Sequence, residues 1–278
     1  MLRNHTLSQS LQKTWIAYEK QVHLSRKSIS TRNIHQLRIS TQKLEAALTL
    51  AHSLRPTHHS KNIIKLIKKV RKNLGPLRDI QVESSTLTDL RAQKPNGIEP
   101  REFSTFFSEQ KSRAKKKAVK CLDRISLGNE RKRIDKITKR LELIEVQHDP
   151  KQIQSQLNSK MKSSVLKFNG IMKNVNPESV KEIHRFRILT KKIRYQGECV
   201  NALTGLAKYD LENLKTVQSV AGRIQNDSIL IGTLDRFLNK KNHQNDPKAL
   251  KIKKRIEVNQ AKLIKNDFAR LTSLKWEN

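Results

Sequence analysis

Apolar side chains recur along most of the chain at intervals of three and four residues, the spacing of one face of an α-helix. No segment alternates convincingly between apolar and polar residues with the period of a β-strand. Loop signals interrupt the helical pattern at 55–59, 74–79, 94–100, 126–130, 148–150, 174–178, 204–209, 222–227 and 243–247. The pattern therefore predicts an all-α protein of about ten helices joined by short loops.

One helical segment occurs twice. The stretch IHQLRISTQKLEA at 34–46 reappears as IHRFRILTKKIRY at 183–195, about half the chain later. The residues that match at one constant offset are His35, Arg38, Thr41 and Lys43 with His184, Arg187, Thr190 and Lys192. Each copy is followed, at nearly the same distance, by a glycine and an aspartate, in LGPLRD at 74–79 and in AGRIQND at 221–227. The repetition predicts an internal duplication, with halves at roughly 1–148 and 149–278, folded as two helical bundles related by a pseudo-twofold axis.

The two copies of this helix share one arrangement of faces. Positions about 100° apart place a core stripe on each copy, formed by Ile34, Leu37, Thr41, Leu44 and Leu48 in the first and by Ile183, Phe186, Thr190 and Ile193 in the second. Histidine and arginine lie on the neighbouring stripe, with Gln42 in the first copy and Lys191 and Arg194 in the second. The basic groups should therefore border the core and line a groove or channel.

The charge of the chain changes this picture from a fold to a function. Lysine and arginine number 58 against 25 acidic residues, a formal net charge of +33, which indicates a polyanionic partner. Cys121 and Cys199 are far apart and show no metal-ligand spacing, so we expect neither a disulfide nor a zinc site. No signal peptide and no apolar run long enough to span a bilayer is found, so a cytoplasmic protein without a membrane partner is expected.

Phosphate is the anion that these residue types suit. Arginine can donate two hydrogen bonds to one phosphate, lysine supplies a mobile charge, and a protonated histidine donates from both ring nitrogens. The second copy of the repeated helix has Glu182 as its only acid in KEIHRFRILTKKIRY, which leaves its basic face without balancing charge. A further segment without acids, KNIIKLIKKVRKNLG at 61–75, places Lys65, Lys68 and Lys72 opposite an apolar stripe.

The paired H-x-x-R helices, the RYQGE continuation of the second, and the LGPLRD and AGRIQND turns resemble the CHAD family, the conserved histidine α-helical domain. The resemblance covers nearly the whole chain. It implies two antiparallel four-helix bundles around a basic central channel or surface that binds inorganic polyphosphate and can direct the protein to polyphosphate granules. The contacts implied by the resemblance are His35, Arg38, Lys43, Arg78, His184, Arg187, Lys191, Lys192 and Arg194. The basic segment at 61–75 adds Lys65, Lys68 and Lys72 to the expected contacts. Asp79 and Asp227 are expected to hold the turns or orient a basic neighbour.

The chain departs from the family pattern in its first copy, where Gln42 and Glu45 stand at positions usually filled by basic residues, so we expect the second half to contribute more binding energy. Many family members also carry a triphosphate-tunnel domain with an ExExK signature, which this sequence lacks.

Polyphosphate binding without catalysis, cofactor or metal is therefore the leading hypothesis. A nucleic-acid-binding protein is the alternative, although few aromatic residues are available for base stacking. An enzyme acting on phosphoanhydrides is a third reading, for which no metal-binding carboxylates or phosphate-binding glycine loop are found.

Overall fold

The computed structural model describes residues 6–93, 100–204, 211–240 and 242–272. Within these ranges the chain forms helices and loops but no strand, so the predicted all-α fold is confirmed. The helices are α1 (Leu7–Lys27), α2 (Thr31–Leu54), α3 (His58–Asn73), α4 (Gly75–Gln93), α5 (Arg101–Asp123), α6 (Leu127–Gln147), α7 (Pro150–Asn174), α8 (Val180–Thr204), α9 (Leu211–Leu238) and α10 (Pro247–Lys262). The chain continues from α10 through a π-helical turn, Leu263–Phe268, into a last short helix, α11 (Ala269–Thr272).

Short polar side chains fix several helix starts. Thr6, Ser30 and Thr57 each accept a hydrogen bond from a backbone N–H three residues on, while Asp149 and Asp246 cap helices whose first residue is proline. The predicted breaks at 55–59, 148–150, 174–178 and 243–247 are confirmed, whereas the one predicted at 126–130 lies at 124–126, because α6 already begins at Leu127. Residues 94–99 and 205–209, which carry most of two further predicted breaks, lie outside the described residues.

The prediction of a turn over 74–79 is wrong in extent. The break is confined to Leu74, and α4 already begins at Gly75, so that Arg78 and Asp79 lie on a helix. Pro76 accounts for both facts. A proline has no N–H to bond to the carbonyl four residues earlier, which interrupts the preceding helix, but it fits the first turn of a new helix.

The prediction of a break at 222–227 is also wrong. Helix α9 runs without interruption from Leu211 to Leu238, and Gly222 and Asp227 lie inside it. The equivalent segment has arginine where the first half has Pro76, so every backbone N–H can continue the helix. A single glycine weakens a helix interior without ending it.

Each half of the chain packs as a helical bundle. In the first half α1, α2, α3 and α6 contact one another in a ring around one apolar core, and in the second half α7, α8, α9 and the π-helical turn surround another. A third core cluster joins the halves, because Phe103 of α5 and Leu87 of α4 pack with Phe237 of α9 and Ile256 of α10. The pseudo-twofold relation and the division near residue 148 stay predictions, with the turn at 148–149 between α6 and α7.

The repeated helices α2 and α8 contact each other where the two bundles meet. Their predicted core stripes are confirmed, since Ile34, Leu37, Thr41, Leu44 and Leu48 on α2 and Ile183, Phe186, Thr190 and Ile193 on α8 are all buried. Burial of these stripes fixes the rotation of both helices. The adjoining stripe, which carries histidine and arginine, is therefore held beside the junction of the two halves.

Candidate anion-binding site

Basic residues from three helices and both halves of the chain meet beside this junction. His35 on α2 interacts electrostatically with Arg78 on α4 and Lys191 on α8, and Arg38 interacts with Arg187. The group consisting of His35, Arg38, Arg78, His184, Arg187 and Lys191, together with Asp79, is termed the central basic cluster. Six of the twelve predicted phosphate contacts therefore come together in space.

A glycine lies beside the arginine of each repeated motif. A Cβ atom on Gly75 would stand 3.7 Å from Arg38 Nη1, and one on Gly222 would stand 3.5 Å from Arg187 Nε. Arg38 Nη1 also donates a 2.6 Å hydrogen bond to the backbone carbonyl of Arg71, at the end of α3. The two halves thus repeat one contact, an arginine of the histidine helix against a glycine, which begins α4 in the first half and lies within α9 in the second.

Asp79 is the acid within the central basic cluster. It interacts electrostatically with Arg38, Arg187 and Arg78 and also with His184. Burial raises the pKa of the Asp79 carboxyl, and the adjacent arginines oppose that rise. One carboxylate among six basic groups leaves the cluster with an excess of positive charge, while it attracts arginines from both halves of the chain.

Asp227 does not play the corresponding part. Asp79 follows Gly75, the glycine beside Arg38, by four residues. Asp227 follows Gly222, the glycine beside Arg187, by five residues, and the residue at the equivalent position is Asn226. Asp227 instead accepts a 3.0 Å hydrogen bond from Asn259 Nδ2 of α10. One extra position rotates a helical side chain by about 100°, which directs Asp227 away from the cluster. The predicted equivalence of the two aspartates and their placement in turns are therefore wrong.

Burial and mutual repulsion make the cluster electrostatically costly without an anion. Burial lowers the pKa of Lys191 to about 7, with further contributions from Arg187 and Arg38, and it lowers the pKa of Arg38 to about 10. The pKa of His35 is also lowered, first by burial and then by the charges of Arg78 and Lys191. A bound polyanion would favour the charged form of each of these groups and so reverse the direction of the shifts.

Several nitrogen atoms in and beside the cluster lack a partner. Arg187 Nε, His184 Nδ1 and Arg71 Nη1 are buried and make no hydrogen bond to any of the described residues. Buried polar groups in folded proteins are nearly always paired with protein, water or a ligand. The unpaired guanidinium nitrogens are donors of the kind that phosphate oxygens accept.

Arg71 is a residue that the sequence analysis did not single out. Its Nη2 donates a 2.5 Å hydrogen bond to Glu45 Oε2, and its carbonyl receives Arg38. Lys68 also pairs with Glu45, at 3.2 Å. The sequence did contain a sign that Arg71 faces the repeated helix. Arg71 precedes Gly75 by four residues, just as Gln218, which bonds to Arg194 of α8, precedes Gly222.

The other predicted contacts lie outside the cluster. Exposed lysines account for five of them, which are Lys43, Lys65, Lys68, Lys72 and Lys192. Arg194 is occupied by α8 and α9, since it donates to Glu198 Oε1 at 2.8 Å and to Gln218 Oε1 at 3.0 Å and lies 4.2 Å from the centre of the Tyr195 ring. Contact between these six residues and phosphate stays a prediction.

A polar cavity of about 730 Å³ adjoins the cluster at Arg78, between α4, α9 and the end of α10. It adds two arginines that the sequence analysis missed, Arg223 and Arg255. Arg223 is partly neutralised by a 2.7 Å ion pair with Asp267. Gln81 Oε1, on the cavity wall, is buried without a partner among the described residues. The cavity gives the central basic cluster a polar approach wide enough for a flexible anion.

A family model of the CHAD domain matches residues 9–235. The chain belongs to the CHAD family. Its repeated histidine helices, α2 and α8, both fall inside the matched range. A search of curated proteins finds no match. None of the described helices is long and apolar enough to cross a membrane.

Solved structures agree with this CHAD assignment at the level of the fold. The crystal structure of the CHAD domain from the plant Ricinus communis superposes with a TM-score of 0.67 at 17% sequence identity, covering 100% of this chain and 96% of that one. PptA from Streptomyces chartreusis gives a TM-score of 0.63 at 13% identity, covering 95% of this chain and 97% of that one. The CHAD fold is therefore present over the whole described chain.

Proposed function

We propose that this CHAD protein binds inorganic polyphosphate, without turning it over, in the central basic cluster between α2, α4 and α8. The observation that carries the proposal is the meeting of six basic side chains from both halves around the single carboxylate of Asp79. Arg187 Nε and His184 Nδ1 are buried and unpaired among the described residues, which supports a ligand rich in acceptor oxygens.

The shape of the site favours a thin chain over a nucleic-acid duplex. Arg38, Arg187 and Lys191 are only partly accessible, so an anion must enter between the helices to contact them. Polyphosphate carries a charge on every unit and has no bases or sugars to accommodate. The polar cavity beside Arg78 offers such a chain room to continue along α4 and α9.

Aromatic residues distinguish polyphosphate from single-stranded nucleic acid. Binding of unpaired bases relies on exposed aromatic platforms. Every described phenylalanine, tyrosine and tryptophan is buried or half-buried, including Trp15, Phe103 and Phe186, which pack in the apolar cores. The alternative of a nucleic-acid-binding protein thus rests on net charge alone.

The decisive experiment compares long-chain polyphosphate with single- and double-stranded DNA at matched phosphate concentration, over a range of salt. We expect polyphosphate to bind more tightly, with affinity falling steeply as salt rises because counterions are released. Equal or tighter binding of DNA would contradict the proposal. Release of phosphate in the presence of magnesium or manganese, lost on changing one cluster residue, would contradict binding without turnover.

A matched pair of double variants locates the site. Arg38→Ala with Arg187→Ala removes two cluster arginines, whereas Arg32→Ala with Arg185→Ala removes two exposed arginines from the same helices. The first variant should lose most of its polyphosphate affinity and the second should keep it, although both lose the same net charge. In cells that store polyphosphate, the first variant should likewise leave the granules to which we expect the protein to go.

A further inference from the structure

A second cavity, of about 380 Å³, lies between α1, α2 and α8. None of the central basic cluster residues lines it. Lys43, a predicted phosphate contact, lies on its wall instead, together with Lys13 of α1. Its volume falls within the range of small-molecule sites, roughly 300–1,000 Å³. The lining residues decide which kind of ligand such a cavity could hold.

Most of the cavity surface is apolar, although hydroxyl and amide side chains also line it. Ala17 of α1, Ile39 of α2 and Ala202 of α8 contribute aliphatic carbon, and the buried ring of Tyr195 closes one side. Tyr195 is held in place by the guanidinium of Arg194, 4.2 Å from the ring centre. A highly hydrated chain such as polyphosphate would lose solvation against these walls and gain few replacement hydrogen bonds. The cavity therefore suits a ligand with an apolar body.

Two ammonium groups give the cavity a positive rim. Lys13 and Lys43 are exposed, and neither has an ion pair within the described part of the chain. The acid on the wall, Glu198, accepts a 2.8 Å hydrogen bond from Arg194 Nη1, so its charge is already balanced. An anionic head group at the rim would meet two cations.

We propose that this cavity is a second binding site, which takes a small amphipathic carboxylate with an aliphatic chain. The chain lies against Ala17, Ile39 and Tyr195, and the carboxylate lies between the ammonium groups of Lys13 and Lys43. Apolar burial supplies the attraction for the chain, and the paired lysines distinguish the acid from the neutral alcohol of the same length.

The test is calorimetric titration of the full chain with decanoate and with decanol. Decanoate should bind saturably and about tenfold more tightly than decanol. Lys13→Ala with Lys43→Ala should remove that difference, while Lys20→Ala with Lys27→Ala, which removes two exposed lysines of α1 outside the cavity, should preserve it. Ala17→Phe, which extends an exposed wall residue into the cavity, should abolish binding of both ligands.

The outcome is separable from that of the polyphosphate proposal. The Ala17→Phe variant should melt as the parent protein does and bind polyphosphate unchanged, because the cavity and the central basic cluster share no residue. Any of three results would overturn the second site. These are the absence of saturable decanoate binding, an equal loss of the preference for decanoate in the two double-lysine variants, and unchanged decanoate binding by Ala17→Phe. Decanoate binding that follows these predictions would stand even if polyphosphate failed to bind.

Discussion

The helices α2 and α8 share one frame but differ in charge at several positions, two of which bear on the site. Gln42 and Glu45 on α2 correspond to Lys191 and Arg194 on α8 at the constant offset of the repeat. The residues at positions 45 and 194 nevertheless bond to corresponding positions of the helices beside them. Glu45 bonds to Arg71 of α3, and at the corresponding place Arg194 bonds to Gln218 of α9.

This difference separates the geometry of the site from its electrostatics. On α2, Glu45 forms ion pairs with Arg71 and Lys68, and Arg38 is bonded to a carbonyl. On α8, Lys191 has only positive groups as its main electrostatic neighbours, and Arg187 keeps an unpaired Nε among the described residues. The repeat thus preserves the positions of the helices while concentrating uncompensated charge in the second half. We expect binding energy to follow that charge.

The largest expected effect is the unequal cost of charge reversal at the two arginines. Arg187→Glu should weaken polyphosphate binding by about a hundredfold and Arg38→Glu by about tenfold, because Arg187 retains more unpaired donor capacity. Affinity is measured by titration at fixed salt, with melting temperature as a check on folding. Arg185→Glu, an exposed change on α8, is the control for net charge. Equal losses at Arg38 and Arg187 would show that the two halves contribute alike.

Lys191 should make binding depend on pH. Its pKa of about 7 in the free protein means that polyphosphate, which favours the charged amine, draws a proton onto it in the pH range above about 7. Affinity should therefore fall as pH rises through this range, and heats of binding should differ between buffers of different ionisation enthalpy. Lys191→Gln should weaken binding at pH 7 by about tenfold and flatten the pH profile.

Lys191→Gln, which should weaken polyphosphate binding, should increase the stability of the folded chain. The pKa of Lys191 is about 7 in the folded chain against an ordinary value of 10.5 for a solvated lysine, so the folded chain binds fewer protons between these values and stability from this group rises with pH. Below pH 7 the buried amine of Lys191 is fully charged, so its destabilising effect on the folded chain is largest there. In that pH range Lys191→Gln should raise the melting temperature most. Lys192→Gln, an exposed neighbour of equal charge, should change neither the pH profile nor the melting temperature. A pH-independent affinity in the parent protein would contradict this role.

Removing the acid of the first copy should bring the two halves closer together in charge. Glu45→Gln releases Arg71 and Lys68 from their ion pairs, so polyphosphate affinity should rise by about threefold. Glu109→Gln, which breaks a surface pair with Arg113 on α5, gives the same change in net charge away from the site. A rise of equal size in both variants would assign the effect to net charge.

The smallest expected effect concerns the glycine beside Arg187. Gly222→Ala should stabilise α9 by about 0.5–1 kcal/mol, since glycine is unfavourable inside a helix. Its methyl group would stand 3.5 Å from Arg187 Nε and restrict access of an anion, lowering affinity by about twofold. Gly232→Ala, in the same helix with no atom within 4 Å of the added carbon, should stabilise similarly and leave affinity unchanged. Chemical denaturation and titration of both variants measure the two effects.

Local rules predicted the helices well but misjudged the glycine segments. Apolar periodicity correctly predicted the buried faces of α2, α3 and α8. The position of the apolar stripe on a helix depends only on the residues of that helix, so the local sequence is enough to find it. The break predicted at 222–227 is wrong because AGRIQND lacks the proline that LGPLRD contains. Asp79 and Asp227 are not equivalent, because they lie four and five residues after their glycines and so point in different directions from their helices.

The sequence by itself determined the helical class, the repeated motif and the excess of positive charge, since composition and periodicity are encoded residue by residue. Only the tertiary structure decided which cations share a site. Packing of α2 against α8, with α4 beside them, joined six basic groups that are far apart along the chain, from His35 to Lys191. It also brought Arg71 next to Arg38 and left Lys43 at another cavity. Such placement depends on the rotation and contact of whole helices, which no local pattern specifies.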